Sequence, residues 1–142
     1  MTKLFNLSGA RALVAAAAFV ACSGGAVAVD LKVKLSGAEE TPPVTTSASG
    51  TATISIAANK SVSGTVNTTG IDGTAAHIHV GPPGESGPPI ITLSKGPHGA
   101  WTVPAGSKLT NEQYASFKSG NLYVNVHSAE HKPGEIRGQL KP

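Results

Sequence analysis

A chain of 142 residues has room for one domain of moderate size. Its 11 Lys and Arg against 8 Asp and Glu, with no basic run, exclude the electrostatic footprint of a nucleic-acid-binding protein. One cysteine excludes a disulfide framework, so any core has to hold by packing alone.

The N-terminus reads as a leader. Lys3 and Arg11 give it positive charge, Ala12 to Ala21 form an unbroken apolar run, and Ala26-Val27-Ala28 is a small-residue cleavage site. That order predicts a secretory signal peptide over residues 1–28 and a domain over residues 29–142. The apolar run is half of the roughly 20 residues that a membrane-spanning helix needs, and no later stretch is apolar enough, so no membrane span is expected. Cys22 directly follows the run, where a lipoprotein signal would be cut and a lipid anchor attached. Phe19, three residues earlier, stands where such signals prefer Leu or a small aliphatic residue, so cleavage after Ala28 is the expectation. The protein is accordingly expected in the periplasm or secreted. Lys3 and Arg11 leave with the signal, and 9 basic side chains then face 8 acidic ones.

Beyond the leader, short stretches alternate apolar and polar residues and are broken by Gly, Pro, Ser and Asn, the pattern of antiparallel strands. Leu31, Val33 and Leu35 share one face of a first strand. A loop from Ala38 to Ser49 carries Glu39, Glu40, Pro42 and Pro43. Ala52, Ile54 and Ile56 share a face of the second strand, and Ala58-Asn59 turns the chain into a third, Lys60 to Thr68. Further strands are expected at Ala75 to Val80, Pro89 to Leu93 and Ala100 to Val103. Three Gly-x-y triplets between Gly81 and Pro89 are too few for a collagen helix and predict a rigid surface loop.

Thr110 and Gln113 form a capping box, which predicts one short helix with Tyr114 and Phe117 on one face and Gly120 as its stop. Leu122, Val124 and Val126 then share one strand face, with Tyr123, Asn125 and His127 on the other. In the last strand, Ile136 and Leu140 oppose Glu135, Arg137 and Gln139. About eight short strands and one helix give an all-β fold, an antiparallel β-sandwich or Greek-key barrel.

The chemistry concentrates in three histidines. His77 and His79 lie two apart in a strand, so their side chains leave the same face, roughly 6.5–7 Å apart along it. With His127 from another strand they could converge on a copper or zinc ion. Asn125, Glu39, Glu40 and Glu135 are polar residues that could orient such ligands. The plainer alternative is that the imidazoles bond to backbone or face water. His98 and His131 fall in expected loops and read as solvated residues, although His131 is near His127 in sequence. Glu135 and Arg137 read as a surface or half-buried ion pair, the alternative being Arg137 beside the histidines as an anion-attracting group. Glu39 and Glu40 should point to opposite faces, which argues against a two-carboxylate site. No recognisable nucleophile-base arrangement, phosphate loop, dinucleotide fingerprint or redox cysteine motif is present.

Five ordered blocks resemble the CHRD family, found as repeats in chordin and as single copies in bacterial exported proteins. They are Leu35 to Val44 (LSGAEETPPV), Ser49 to Ala52 (SGTA), Ala76 to Gly81 (AHIHVG), Tyr123 to Ser128 (YVNVHS) and Pro133 to Leu140 (PGEIRGQL). The resemblance implies an immunoglobulin-like β-sandwich outside the cytoplasm and includes the positions of His77, His79 and His127, though not those of His98 or His131. It fixes no activity. A weaker similarity joins these histidines to the copper site of Cu/Zn superoxide dismutases. The cysteine pair of those enzymes and a bridging histidine between Gly81 and Pro97 are lacking here. Two readings stand nearly level: a metal-binding exported domain, and a non-enzymatic module in which the histidines pin strands while the loops Ala38 to Ser49 and Gly81 to Pro89 meet an unknown extracytoplasmic protein. A copper-dependent redox enzyme ranks below both.

Overall fold

The alternation of Leu31, Val33 and Leu35 becomes strand β1 (Ala28–Ser36), in a computed structural model that describes residue 25 and residues 27–142. The expected leader, Cys22 included, lies outside the described residues except for its last positions. Leu31 and Leu35 are buried, while Lys32 and Lys34 face out. β2 (Ser49–Ala57) and β3 (Val62–Thr69) continue the meander. β1 pairs with β2 from Ala28↔Ala57 to Ser36↔Ser49, which brings Leu31 to Ile54 and Val33 to Ala52. β4 (Gly73–Val80), β5 (Pro89–Thr92), β6 (Ser94–Lys95), β7 (Ala100–Thr102), β8 (Leu122–Ser128) and β9 (Ile136–Leu140) complete the strands, all paired antiparallel.

The strand order is β5-β4-β8-β9-β1-β2-β3-β7-β6. Two places turn this ribbon into a nearly closed barrel, or sandwich, as the alternation leads one to expect. At one, β9 meets β1 through a single residue pair, Ser36↔Arg137. At the other, the stretch from Pro89 to Lys95 serves both ends of the order. Its first half pairs with β4 and its second with β7, and between them Leu93 N donates to Ala76 O at 2.9 Å. β6 is the strand that the sequence does not announce: Ser94 and Lys95 are both exposed and have no apolar alternation.

The interior is aliphatic. Ala52, Ile54, Val66, Ile78, Val124, Val126 and Leu140 are fully buried, and Trp101 on β7 is buried with them. Helix α1 (Asn111–Lys118) starts on the expected capping box. Gln113 N donates to Thr110 Oγ1 at 3.1 Å, and Thr110 N donates to Gln113 Oε1 at 2.9 Å. Its buried residue, Phe117, joins the core, while Tyr114 packs at the margin.

Candidate metal centre

β8 is buried on both faces. Leu122, Val124 and Val126 point into the barrel, as the alternation demands. The opposite face carries Tyr123, Asn125 and His127, and on its neighbour β4 it carries His77 and His79. Register fixes who meets whom: His79 lies across from Tyr123, His77 from Asn125, and Ala75 from His127. β4 is irregular at both ends of this patch, with register shifts against β8 between Gly73 and Ala75 and against β5 between Ile78 and His79. Such bulges re-aim side chains.

The three histidines converge. Each offers a ring nitrogen, and the three nitrogens lie within 4.8 Å of one another. His77 Nδ1 and His127 Nε2 are 3.0 Å apart. Zinc with bonds of 2.0–2.1 Å holds tetrahedral donors about 3.3 Å apart, close to the spacing of the His77–His127 pair.

Backbone carbonyls set two of the tautomers. His79 Nδ1 donates to Gly87 O at 2.8 Å, and His127 Nδ1 donates to Lys132 O at 2.7 Å. Their protons are therefore on Nδ1, and both Nε2 atoms keep a lone pair. His127 Nε2 accepts from His77 Nδ1. His79 Nε2 accepts from nothing: it is buried and unpartnered. Burial pushes the pKa of His77 down, and the neighbouring His127 and His79 rings add to this. For His79, burial again dominates and outweighs its bond to Gly87. These two rings are thus held neutral near pH 7, the protonation state that a metal ligand needs.

A polar layer backs the rings. Tyr123 stacks on His79 with centroids 4.7 Å apart and planes 7° off parallel. The Arg137 guanidinium lies over the Tyr123 ring, 3.5 Å from its centroid. Gly87 closes the loop onto this stack, its N–H donating to Tyr123 Oη at 3.1 Å. A Cβ on Gly87 would collide with Val80 O, so only glycine brings the carbonyl that His79 uses this close.

Other residues singled out in the sequence are placed differently. Glu135 and Arg137 do not pair; among the described residues the ion pair within 4 Å is Lys95–Asp72. The Glu135 carboxylate accepts from Thr46 Oγ1 at 2.6 Å. Arg137, only 1% exposed, donates to Glu85 O and Pro82 O, both at 2.9 Å, and to Gln139 Oε1 at 3.0 Å. It lies one ring away from His79, across Tyr123, with its guanidinium engaged by these oxygens of the chain. Glu39 is exposed and Glu40 buried, which separates them as expected. Glu40 instead approaches Asn125. His98 and His131 stand apart from the cluster. Tyr123, Gly87 and Lys132 are the participants not recognised beforehand. Tyr123 was legible as a face-mate of Asn125 and His127, whereas the two carbonyls leave no trace in residue type.

A protein-family model described as the CHRD domain matches residues 31–140, a span that contains all five sequence blocks and the three histidines. No curated protein matches the chain, and no solved structure does.

Proposed function

The chain belongs to the CHRD family, and from that premise we propose that it is an exported domain holding one copper or zinc ion through His77, His79 and His127. The observation that carries this reading is His79 Nε2, a buried lone pair without a donor, beside two other imidazole nitrogens. An uncompensated buried acceptor costs roughly 1–3 kcal/mol, and a cation compensates it. Carbonyls that fix the tautomers of His79 and His127 are the support that metal-binding imidazoles characteristically have. At equal geometry copper(II) binds such nitrogen donors more tightly than zinc. Export rests on the leader read over residues 1–28, and placement in the periplasm or outside the cell follows from it. The function proposed is binding, and it asks for no nucleophile or general base.

The test is metal analysis of the purified, tag-free chain, with calorimetric titration by Cu(II) and Zn(II). One ion per chain, lost in His77→Ala, His79→Ala and His127→Ala with the fold intact, is the expected outcome. An ion-free chain at micromolar metal, with variants that behave like wild type, refutes the proposal.

A second reading draws on a different observation. Without any ion, His77 bonds His127, and His79 and His127 already tie the loops at Gly87 and Lys132 to the sheet. In that case the rings are loop fasteners, and the flanking loops serve an extracytoplasmic partner. Stability indifferent to chelator and to added metal would select this reading.

A further inference from the structure

Beside the imidazoles lies a fourth group with an unused electron pair. Asn125 is 1% exposed and stands directly across from His77. Its Nδ2 donates to Glu40 Oε1 at 3.5 Å and to Pro133 O at 3.4 Å. Both partners are acceptors, so they decide which end of the amide is nitrogen. Oδ1 is turned the other way, buried and without a donor. It shares the covered outer face of β4 and β8 with the rings of His77, His79 and His127. Among the described residues, the buried side-chain polar atoms left without a partner are Asn125 Oδ1 and His79 Nε2, and they belong to these adjoining groups. Two buried electron pairs on one face of the sheet, neither with a proton donor, are what a cation would satisfy.

We propose that Asn125 Oδ1 is a fourth donor to the ion held by His77, His79 and His127, closing the buried side of the site, with Glu40 as the anion that anchors the amide. This rests on the metal reading above. Glu40 is shaped for that part. It is only 7% exposed, and its Oε1 accepts from Asn125 Nδ2. A carboxylate that accepts from Nδ2 moves electron density towards Oδ1 and puts a negative charge near a divalent ion. Gly134 covers the pair at φ +137, and a Cβ there would strike Glu40 Oε1 and Asn125 Nδ2. His77 and His127 are only half-buried, so the ion enters along their edge. Three imidazoles and an amide oxygen form a set for Cu(II) or Zn(II) rather than for Cu(I), which prefers sulfur.

The experiment compares wild type, Asn125→Leu, Asn125→Asp and His79→Ala by calorimetric titration with Zn(II) and Cu(II), alongside melting curves with and without metal. Asn125→Leu is expected to bind each ion at least tenfold more weakly. In Asn125→Asp a carboxylate beside Glu40 loosens the metal-free fold and the ion relieves the repulsion, so its metal-induced rise in Tm exceeds that of wild type. A Leu variant within twofold of wild type, while His79→Ala loses the ion, overturns the role of Asn125 and leaves the three-histidine site standing. An Asp variant whose rise in Tm is no larger than wild type's does the same, even should the Leu variant fail to fold. No ion on wild type at micromolar concentrations overturns the three-histidine site and this inference with it.

Discussion

An imidazole has two nitrogens, and at His79 and His127 the backbone has claimed one of each. Burial of the His77 and His79 rings makes the cluster sensitive to acid. The folded-state pKa values of His77 and His79 lie below the ordinary 6.5, so protons bind the unfolded chain more readily. The corresponding stability is complete above pH 6.5 and drains away as pH falls from there through the lowered folded values. Melting of the metal-free chain from pH 8 to pH 5 should show Tm flat at first and then declining, with a shallower decline in His77→Gln. Metal affinity should fall over the same interval, because protons compete for the same lone pairs. Arg137 gives a prediction of another kind. Its fork spans three oxygens and its plane lies on Tyr123, neither of which an ammonium reproduces. Arg137→Lys should cost roughly 2 kcal/mol in chemical denaturation. At this scale the sequence made the histidine trio visible, since His-x-His in a strand puts both rings on one side. The misread pair, Glu135 with Arg137, shows the limit. Spacing puts two residues on a common face, but the loop bearing Pro82 and Glu85 decides what Arg137 meets.

Among the elements, α1 is the most transparent, because its start is written in side chains that bond locally. Thr110→Ala should therefore cost about 1 kcal/mol of stability, measurable by denaturant titration, with the histidine cluster undisturbed. Strands with a buried aliphatic face were equally readable: Leu31 and Leu35, Ala52 to Ile56, and Leu122 to Val126 all lie as their alternation requires. The irregular parts were not readable. β6 has no apolar residue, and the register shifts in β4 depend on how β5 and β8 close around it. Those shifts frame the histidines, so what brings the rings together is tertiary and has no signature in residue type. The outer face of β8 hid its nature too, because polar residues in alternation suggest contact with water, whereas here loops cover them.

For the molecule as a whole, a native-only ligand adds its binding free energy to the stability of the fold. At metal a hundredfold above its dissociation constant the gain is about 2.7 kcal/mol, which for a domain of this size raises Tm by roughly 10 °C. Chelator should reverse this rise, and His79→Ala should abolish it, in scanning calorimetry. The family and sandwich class were legible because five separated blocks and a two-residue period extend over nearly the whole described chain. The closure of the sheet was not, since one bent stretch, Pro89 to Lys95, had to be seen pairing on two sides. That stretch has a consequence for how the protein breathes. It is paired at both ends of the strand order, so neither end can fray away without tearing a strand from the other, and amide protons at Ile91 and Leu93 should exchange with solvent only through global opening. The seam at Ser36 and Arg137, a single pair wide, is where slower-than-random but sub-global exchange should appear. Thr92 in the shared stretch sits opposite His77. An ion clamped on the histidines would therefore act like a rivet through an overlap, and its protection would be felt by amides at both ends of the strand order.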